Sequence, residues 1–204
     1  MIKRYVFGNP FDTQAILTKI ESEKKELPFF NKSGNTFTYA MDKNDIIWGL
    51  GENVRGMNKR GHTYVSWCSD EFEHSEEKKS LYGAHNFFVI DGKIKLGIFV
   101  DCPGRVTFDI GESDYDTIKI TIENKDYEIY TVEEKSVLAI IKEFRKIIGE
   151  SYIPPKWAFG IGQSRWGYGS EKDLLKVQEG YRKNNLPVDM IYLDIDYMNN
   201  FKDF

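Results

Sequence analysis

The tetrapeptide Tyr152-Ile153-Pro154-Pro155 constrains this chain more than any other feature, because it forbids helix and sets an extended path between two segments with different hydrophobic periods. It is the best candidate for a domain boundary, which makes residues 1–150 one domain and residues 151–204 another. Before the boundary, from about Thr36 to Val132, β-branched and aromatic residues alternate with polar ones, and Gly, Asn and Asp punctuate the segments. Strands are predicted at Phe37 to Met41, Ile46 to Leu50, Tyr64 to Trp67, Arg105 to Ile110 and Thr117 to Ile122. One hairpin is expected to join Asn86–Ile90 to Lys93–Asp101 through a tight primed turn at Asp91-Gly92, where positive φ is tolerated, and a second to turn at Asn124-Lys125-Asp126. Short strands at this spacing argue for an antiparallel sandwich.

Two helical stretches flank those strands. Asp12-Thr13 could cap a short helix carrying Ile16, Leu17 and Ile20. Val137, Ile140, Ile141, Phe144, Ile147 and Ile148 recur at helical spacing, with charged residues such as Lys142 and Lys146 opposite, and Gly149 is placed to stop that linking helix. Beyond the prolines, Trp157 to Gln163 reads as a short apolar strand. Ser170-Glu171-Lys172-Asp173 resembles a capping box, and Leu174, Val177 and Tyr181 form a helical stripe. Val188 to Asp194 reads as a second strand. Strand, helix and strand within about fifty residues have the size and order of a βαβ unit with parallel strands.

Composition excludes several classes of function. The net charge of −4 is spread along the chain with no basic stripe, so nucleic acid is not an expected partner. No apolar run approaches a membrane span, and no apolar signal segment follows Met1, so the expected location is the cytoplasm and no membrane partner is expected. Cys68 and Cys102 match no metal or disulfide framework and are read as free thiols. Aromatic residues make up 15% of the chain, which suits sugar stacking and core filling alike.

In a parallel α/β unit the carboxyl ends of the strands carry the ligand-facing residues. Two clusters fall there: Gln163-Ser164-Arg165-Trp166-Gly167-Tyr168, and Asp194-Ile195-Asp196-Tyr197-Met198. On an extended strand Asp194 and Asp196 would project to one side with Cα atoms roughly 6.5 Å apart. Retaining glycosidases hold their two carboxyls about 5–5.5 Å apart but on opposite flanks of the scissile bond, which strand neighbours do not match. Asp194 is better read as an acceptor for substrate hydroxyls, and the alternative is that one or both aspartates pair with an arginine such as Arg165.

Taken together, Pro154-Pro155-Lys156-Trp157-Ala158-Phe159-Gly160, Gln163 to Tyr168, Asp194 to Met198 and Phe201-Lys202-Asp203-Phe204 resemble glycoside hydrolase family 31, the α-glucosidase family. Gly49-Leu50-Gly51-Glu52, Lys59-Arg60-Gly61 and Leu81-Tyr82-Gly83 extend the resemblance into the family's N-terminal sandwich, so it covers nearly the whole chain. The resemblance implies an α+β architecture: a mutarotase-like antiparallel β-sandwich, then the first βαβ unit of an incomplete (β/α)8 barrel. It further implies a retaining α-glycosidase with an aspartate nucleophile and an aspartate acid/base, no metal or organic cofactor, and α-glucoside oligosaccharides as partners. Asp194, with Ile195 beside it, would line the subsite for the non-reducing sugar. Asp70, in the sandwich loop Ser66-Trp67-Cys68-Ser69-Asp70, would reach the same pocket, and Trp166 stands where the family often has tyrosine, which leaves the preferred linkage open.

No segment matches the family motifs that carry the nucleophile and the acid/base, so no catalytic residue is assigned and the chain alone is expected to be inactive. A full barrel takes about 250 residues, and open edges on two strands would need cover from the sandwich or another chain, so a homo-oligomer is one arrangement the sequence allows. Two rival readings stand beside this one. The chain could be a non-catalytic carbohydrate-binding module, or a mutarotase-like epimerase using His62, His74 or His85 as acids, although scattered histidines are more often surface-loop residues.

Overall fold

Val106, Phe108 and Ile110 are buried while Thr107 and Asp109 between them are half-exposed, the period-two signature of a strand with one covered face. A computed structural model of the chain describes all residues except Lys19, Lys25, Glu71, Asp203 and Phe204. It divides into two compact units, Met1–Glu150 and Ser151–Phe204.

In the first unit the same alternation recurs along the chain. The strands are β1 (Ile2–Phe7), β2 (Asn31–Ser33), β3 (Thr36–Ala40), β4 (Ile46–Gly49) and β5 (His62–Ser66). They continue with β6 (Phe87–Asp91), β7 (Lys95–Asp101), β8 (Val106–Ile110), β9 (Thr117–Ile122) and β10 (Tyr127–Glu133), and α1 (Val137–Ile148) follows. Among the described residues these strands form two five-stranded antiparallel sheets, in the orders β1-β10-β7-β6-β4 and β2-β3-β9-β8-β5.

The sheets face each other across one core. Phe88 of the first meets Phe108 of the second edge-on at 5.8 Å, and Tyr127 meets Phe37 at 6.3 Å. Ile47, Ile98, Ile118 and Ile120 around them are fully buried. The opposite face of the first sheet is covered by α1, whose Ile140, Phe144 and Ile147 pack on Val89, Tyr130 and Val132. Phe144 stacks on Phe87 at 3.9 Å. Gly97 of β7 permits that approach, since a Cβ there would lie 2.5 Å from Ile140 Cγ2. The helix starts at Ser136, whose side chain accepts from the Ala139 N–H, a cap the sequence reading did not name, and it stops at the predicted Gly149 with φ of 89°.

Several expectations are corrected. Asp12-Thr13 opens no helix: Gln14 has φ of 61°, the Gln14 and Ala15 N–H groups donate to the Asp12 and Thr13 side chains, and the Leu17 and Thr18 N–H groups donate to Ile147 O at the end of α1. The β6–β7 hairpin turns through Gly92, Lys93 and Ile94, with Asp91 paired to Lys95 and Gly92 N–H donating to Ile94 O. Glycine is needed at position 92 for space, because a Cβ there would lie 1.7 Å from Asp45 Oδ1. The turn at Asn124–Asp126, unlike the one after β6, makes no hairpin. It carries the chain across the sandwich, from β9 between β3 and β8 to β10 between β1 and β7. Two strands, β1 and β2, lie ahead of the region in which strands were predicted.

In the second unit the chain makes a 3₁₀ turn at Lys156–Phe159, then β11 (Gly162–Ser164), α2 (Glu171–Lys183) and β12 (Met190–Tyr192). Strands β11 and β12 are parallel, the expected βαβ opening of a barrel. The predicted strand from Trp157 is shorter and starts later, because Pro155 O accepts from Ala158 N–H and Trp157 O accepts from Gly160 N–H, closing a turn where extension was expected. Ser170 caps α2, accepting from Asp173 N–H, and its hydroxyl also donates to the Asp173 carboxylate at 2.7 Å. Among the described residues, no helix is long and apolar enough to cross a membrane.

Candidate sugar-binding edge of the barrel unit

Because β11 and β12 run parallel with Gln163 beside Ile191 and Ser164 beside Tyr192, the chain leaves both at one edge. Arg165 to Tyr168 follows β11, and Leu193 to Met198 follows β12. The two loops are tied together where Gly167 N–H donates to Asp196 Oδ2 at 2.9 Å. Gly167 has φ of 106°, a conformation that favours glycine. Behind the loops, Gln163 Nε2 donates to the Tyr168 hydroxyl at 3.1 Å, and Gln163 Oε1 accepts from the Tyr181 hydroxyl of α2 at 2.5 Å. Tyr168 is buried, so strand, loop and helix are locked by one side-chain chain.

On this frame Trp166 stands into solvent, 71% exposed, with its carbonyl accepting from Arg165 Nε at 3.1 Å. Asp194 is half-buried and caps a 3₁₀ turn at Ile195–Tyr197, accepting from Ile195 N–H at 2.8 Å; Ile195 itself is exposed. A flat indole and a carboxylate with acceptor capacity left over are thus set at neighbouring strand ends. That pairing suits a sugar ring, with an apolar face and outward hydroxyls.

The paired geometry considered for Asp194 and Asp196 is not found. β12 ends at Tyr192, Asp194 is extended with φ of −95°, and Asp196 lies inside the 3₁₀ turn, so the two carboxylates take different tasks. Among the described residues neither forms an ion pair with Arg165. The stretch Phe201-Lys202-Asp203-Phe204 lies partly outside the described residues, which end at Lys202.

Asp70 belongs to the sandwich unit, in the long loop between β5 and β6. It is exposed, and the neighbouring Ser69 is pinned by its N–H donating to Leu81 O and by a 3.0 Å contact of its hydroxyl with Ser80. Trp166, Asp194 and Ile195 therefore share one edge of one unit, while Asp70 comes from the other. His62 lies in β5, His74 in the loop after it and His85 just before β6, where its ring packs on Gly51. Cys68 is exposed and Cys102 buried, both free thiols, and burial pushes the Cys102 thiol up. Among the described residues, no group of three or more His, Cys, Asp or Glu is placed to hold a metal ion.

Sequence reading missed the residues that hold the edge in shape. Gln163 was named only within its cluster and Asp196 was weighed as a partner of Asp194 or Arg165, and the fold gives them other partners, Tyr168 and Tyr181 for the first and Gly167 for the second. Asp189 accepts from Ile161 N–H at 3.0 Å and lies where a Cβ on Gly160 would come within 2.1 Å of its carboxylate. The glycines at 160 and 167 were the available signals.

Known proteins share this arrangement. Residues 151–204 match the Glycosyl hydrolases family 31 TIM-barrel domain, and residues 11–109 match the Glycosyl hydrolase 31 N-terminal galactose mutarotase-like domain. The chain belongs to glycoside hydrolase family 31. Alpha-glucosidase 2 of Bacillus thermoamyloliquefaciens is 31% identical over 183 residues, which is 85% of this chain and 23% of that protein. Alpha-xylosidase XylQ of Lactiplantibacillus pentosus is 26% identical over 165 residues, 80% of this chain and 21% of its own length. Among solved structures of the family, a Flavobacterium johnsoniae dextranase in complex with glucose superimposes with a TM-score of 0.75 at 26% identity, covering 84% of this chain and 21% of that one. The chain thus spans about a quarter of the length of these family 31 relatives.

Proposed function

We propose that this chain is the front portion of a retaining α-glucosidase that releases terminal α-linked glucose from oligosaccharides, and that on its own it recognises sugar without cleaving it. The supporting observation is the edge where Trp166 and Asp194 leave neighbouring parallel strands, held by the Gly167–Asp196 hydrogen bond. In this reading Asp194 accepts hydrogen bonds from glucose hydroxyls, Ile195 and Trp166 give the ring apolar surface, and Asp70 contributes from the sandwich loop. Membership of a glycoside hydrolase family and the α-glucosidases among the relatives favour the substrate class. The dextranase and the α-xylosidase show that related chains take other α-linked sugars, so the linkage is the finer part of the proposal.

A chemical argument supports the proposed inactivity of the chain on its own. Retention needs a nucleophile and a separate acid/base on opposite flanks of the bond, and Asp194 and Asp196, two residues apart in one loop with Asp196 tied to Gly167, do not supply that arrangement. Incubating the purified chain with aryl α-glucosides should give no turnover. Turnover that survives repurification and disappears in Asp194→Asn would defeat this part of the reading. Calorimetric titration with maltose and isomaltose tests recognition, which should weaken in Trp166→Ala and in Asp70→Ala.

A further inference from the structure

The sandwich unit holds a concave feature that shares no residue with the barrel edge. On the face of the first sheet where α1 lies, the irregular segment after β1 arches over β1, β10 and β7 and encloses a recess of about 410 Å³, within the usual range of ligand pockets. Its floor is charged. Glu128 is committed, accepting from Arg4 Nε at 2.9 Å, from Arg4 Nη2 and from the Tyr130 hydroxyl. Asp101 sits directly across the ladder from Glu128, an unfavourable placement for two like charges. Among the described residues, both Asp101 oxygens accept from a single donor, the Thr13 hydroxyl, at 2.8 and 2.9 Å. A carboxylate has about four acceptor sites, so Asp101 is short of donors, and burial raises its pKa accordingly. Arg4 spends a third N–H on Ile20 O, which leaves two of its five unspent among the described residues. The rim is apolar: Phe11 is 68% exposed, with Ile16 and Leu17 beside it.

We propose that this recess binds a neutral hexose or similar polyol ring, as a carbohydrate site belonging to the sandwich itself. Hydroxyl groups supply the donors that Asp101 lacks, the ring's oxygens accept from Arg4, and its C–H face rests on Phe11. With Arg4 paired to Glu128, Asp12 and Asp101 leave the recess acidic, which disfavours an anion; an organic cation is the rival occupant, and the test below separates it from a neutral ring. This site does not depend on the glucosidase reading of the barrel edge.

The test is NMR titration of the full chain with methyl α-glucoside and with maltose. Millimolar binding should shift the Phe11 and Thr13 amides, weaken about tenfold in Asp101→Asn, which removes a charged acceptor, and weaken severalfold in Phe11→Ala. Phe11 is exposed, so its variant carries the test even if Asp101→Asn fails to fold. Trp166→Ala and Asp194→Asn should leave these shifts intact. Absence of shifts at Phe11 and Thr13 in excess sugar would overturn the proposal. So would shifts that persist unchanged in Phe11→Ala, or the same shifts produced by Tris or guanidinium salts. Binding lost only in Trp166→Ala and Asp194→Asn would favour the barrel edge and count against this recess.

Discussion

The two units differ in how they keep water out. Residues 1–150 bury large side chains on both faces of the first sheet, against the second sheet on one side and α1 on the other. In residues 151–204, Tyr168 is the buried hydrophobic residue among those described, while Trp157, Phe159, Leu175 and Leu186 are more than half exposed. Hydrogen bonds and turn closures shape the second unit, and apolar burial shapes the first. Burial of a large side chain contributes a few kcal/mol whereas a hydrogen bond nets about 1, so the stability of the chain is concentrated in the sandwich.

That contrast can be broken at its strongest point. Phe88→Ala, at the centre of the sandwich, should cost about 3–5 kcal/mol in urea unfolding, while Leu175→Ala on α2 should stay within about 0.5 kcal/mol. Equal shifts of the main transition would mean that both units unfold together. The packing of α1 comes next: Gly97→Val should cost about 1–3 kcal/mol, because Ile140 would have to move. Helix caps sharpen the comparison, since both helices start on a serine. Ser136→Ala should lower the main transition by about 1 kcal/mol, whereas Ser170→Ala should lower helical circular dichroism and leave that transition in place.

The smallest effect is electrostatic. The hydrogen bond from Lys95, with that from Trp48 Nε1 against some desolvation, holds the Asp91 carboxyl below its ordinary value of 3.8. A lowered folded pKa means stability that is present above 3.8 and lost as pH falls through the lower value. Asp91→Asn should therefore be less stable than the parent at neutral pH by about 0.5 kcal/mol, and the two should converge in acid.

Local signals carried the sequence reading where structure is local. Helix α1 was legible because its apolar stripe and the Gly149 stop are local signals, whereas the Ser136 cap came only with the structure. The βαβ opening and the two loop clusters at its edge were legible for the same reason. The reading failed where a distant partner decides. Asp12-Thr13 caps no helix because its segment spends its N–H groups on the Asp12 and Thr13 side chains and on Ile147 O. Strand β1 carries Lys3 and Arg4 and does not look like a strand until Glu128 is found beside Arg4. At the barrel edge, Asp194 and Trp166 could be picked from their motif, but the Asp196 tie to Gly167 required the loop geometry.

The pairing of β1 has a consequence for the order in which the molecule can be made. Ile2 faces Val132 and Phe7 faces Tyr127 across the ladder, so β1 has its neighbour synthesised about 120 to 130 residues later. Until Tyr127–Glu133 emerges, Ile2–Phe7 has no ladder to join, and the sandwich cannot close during the early part of translation.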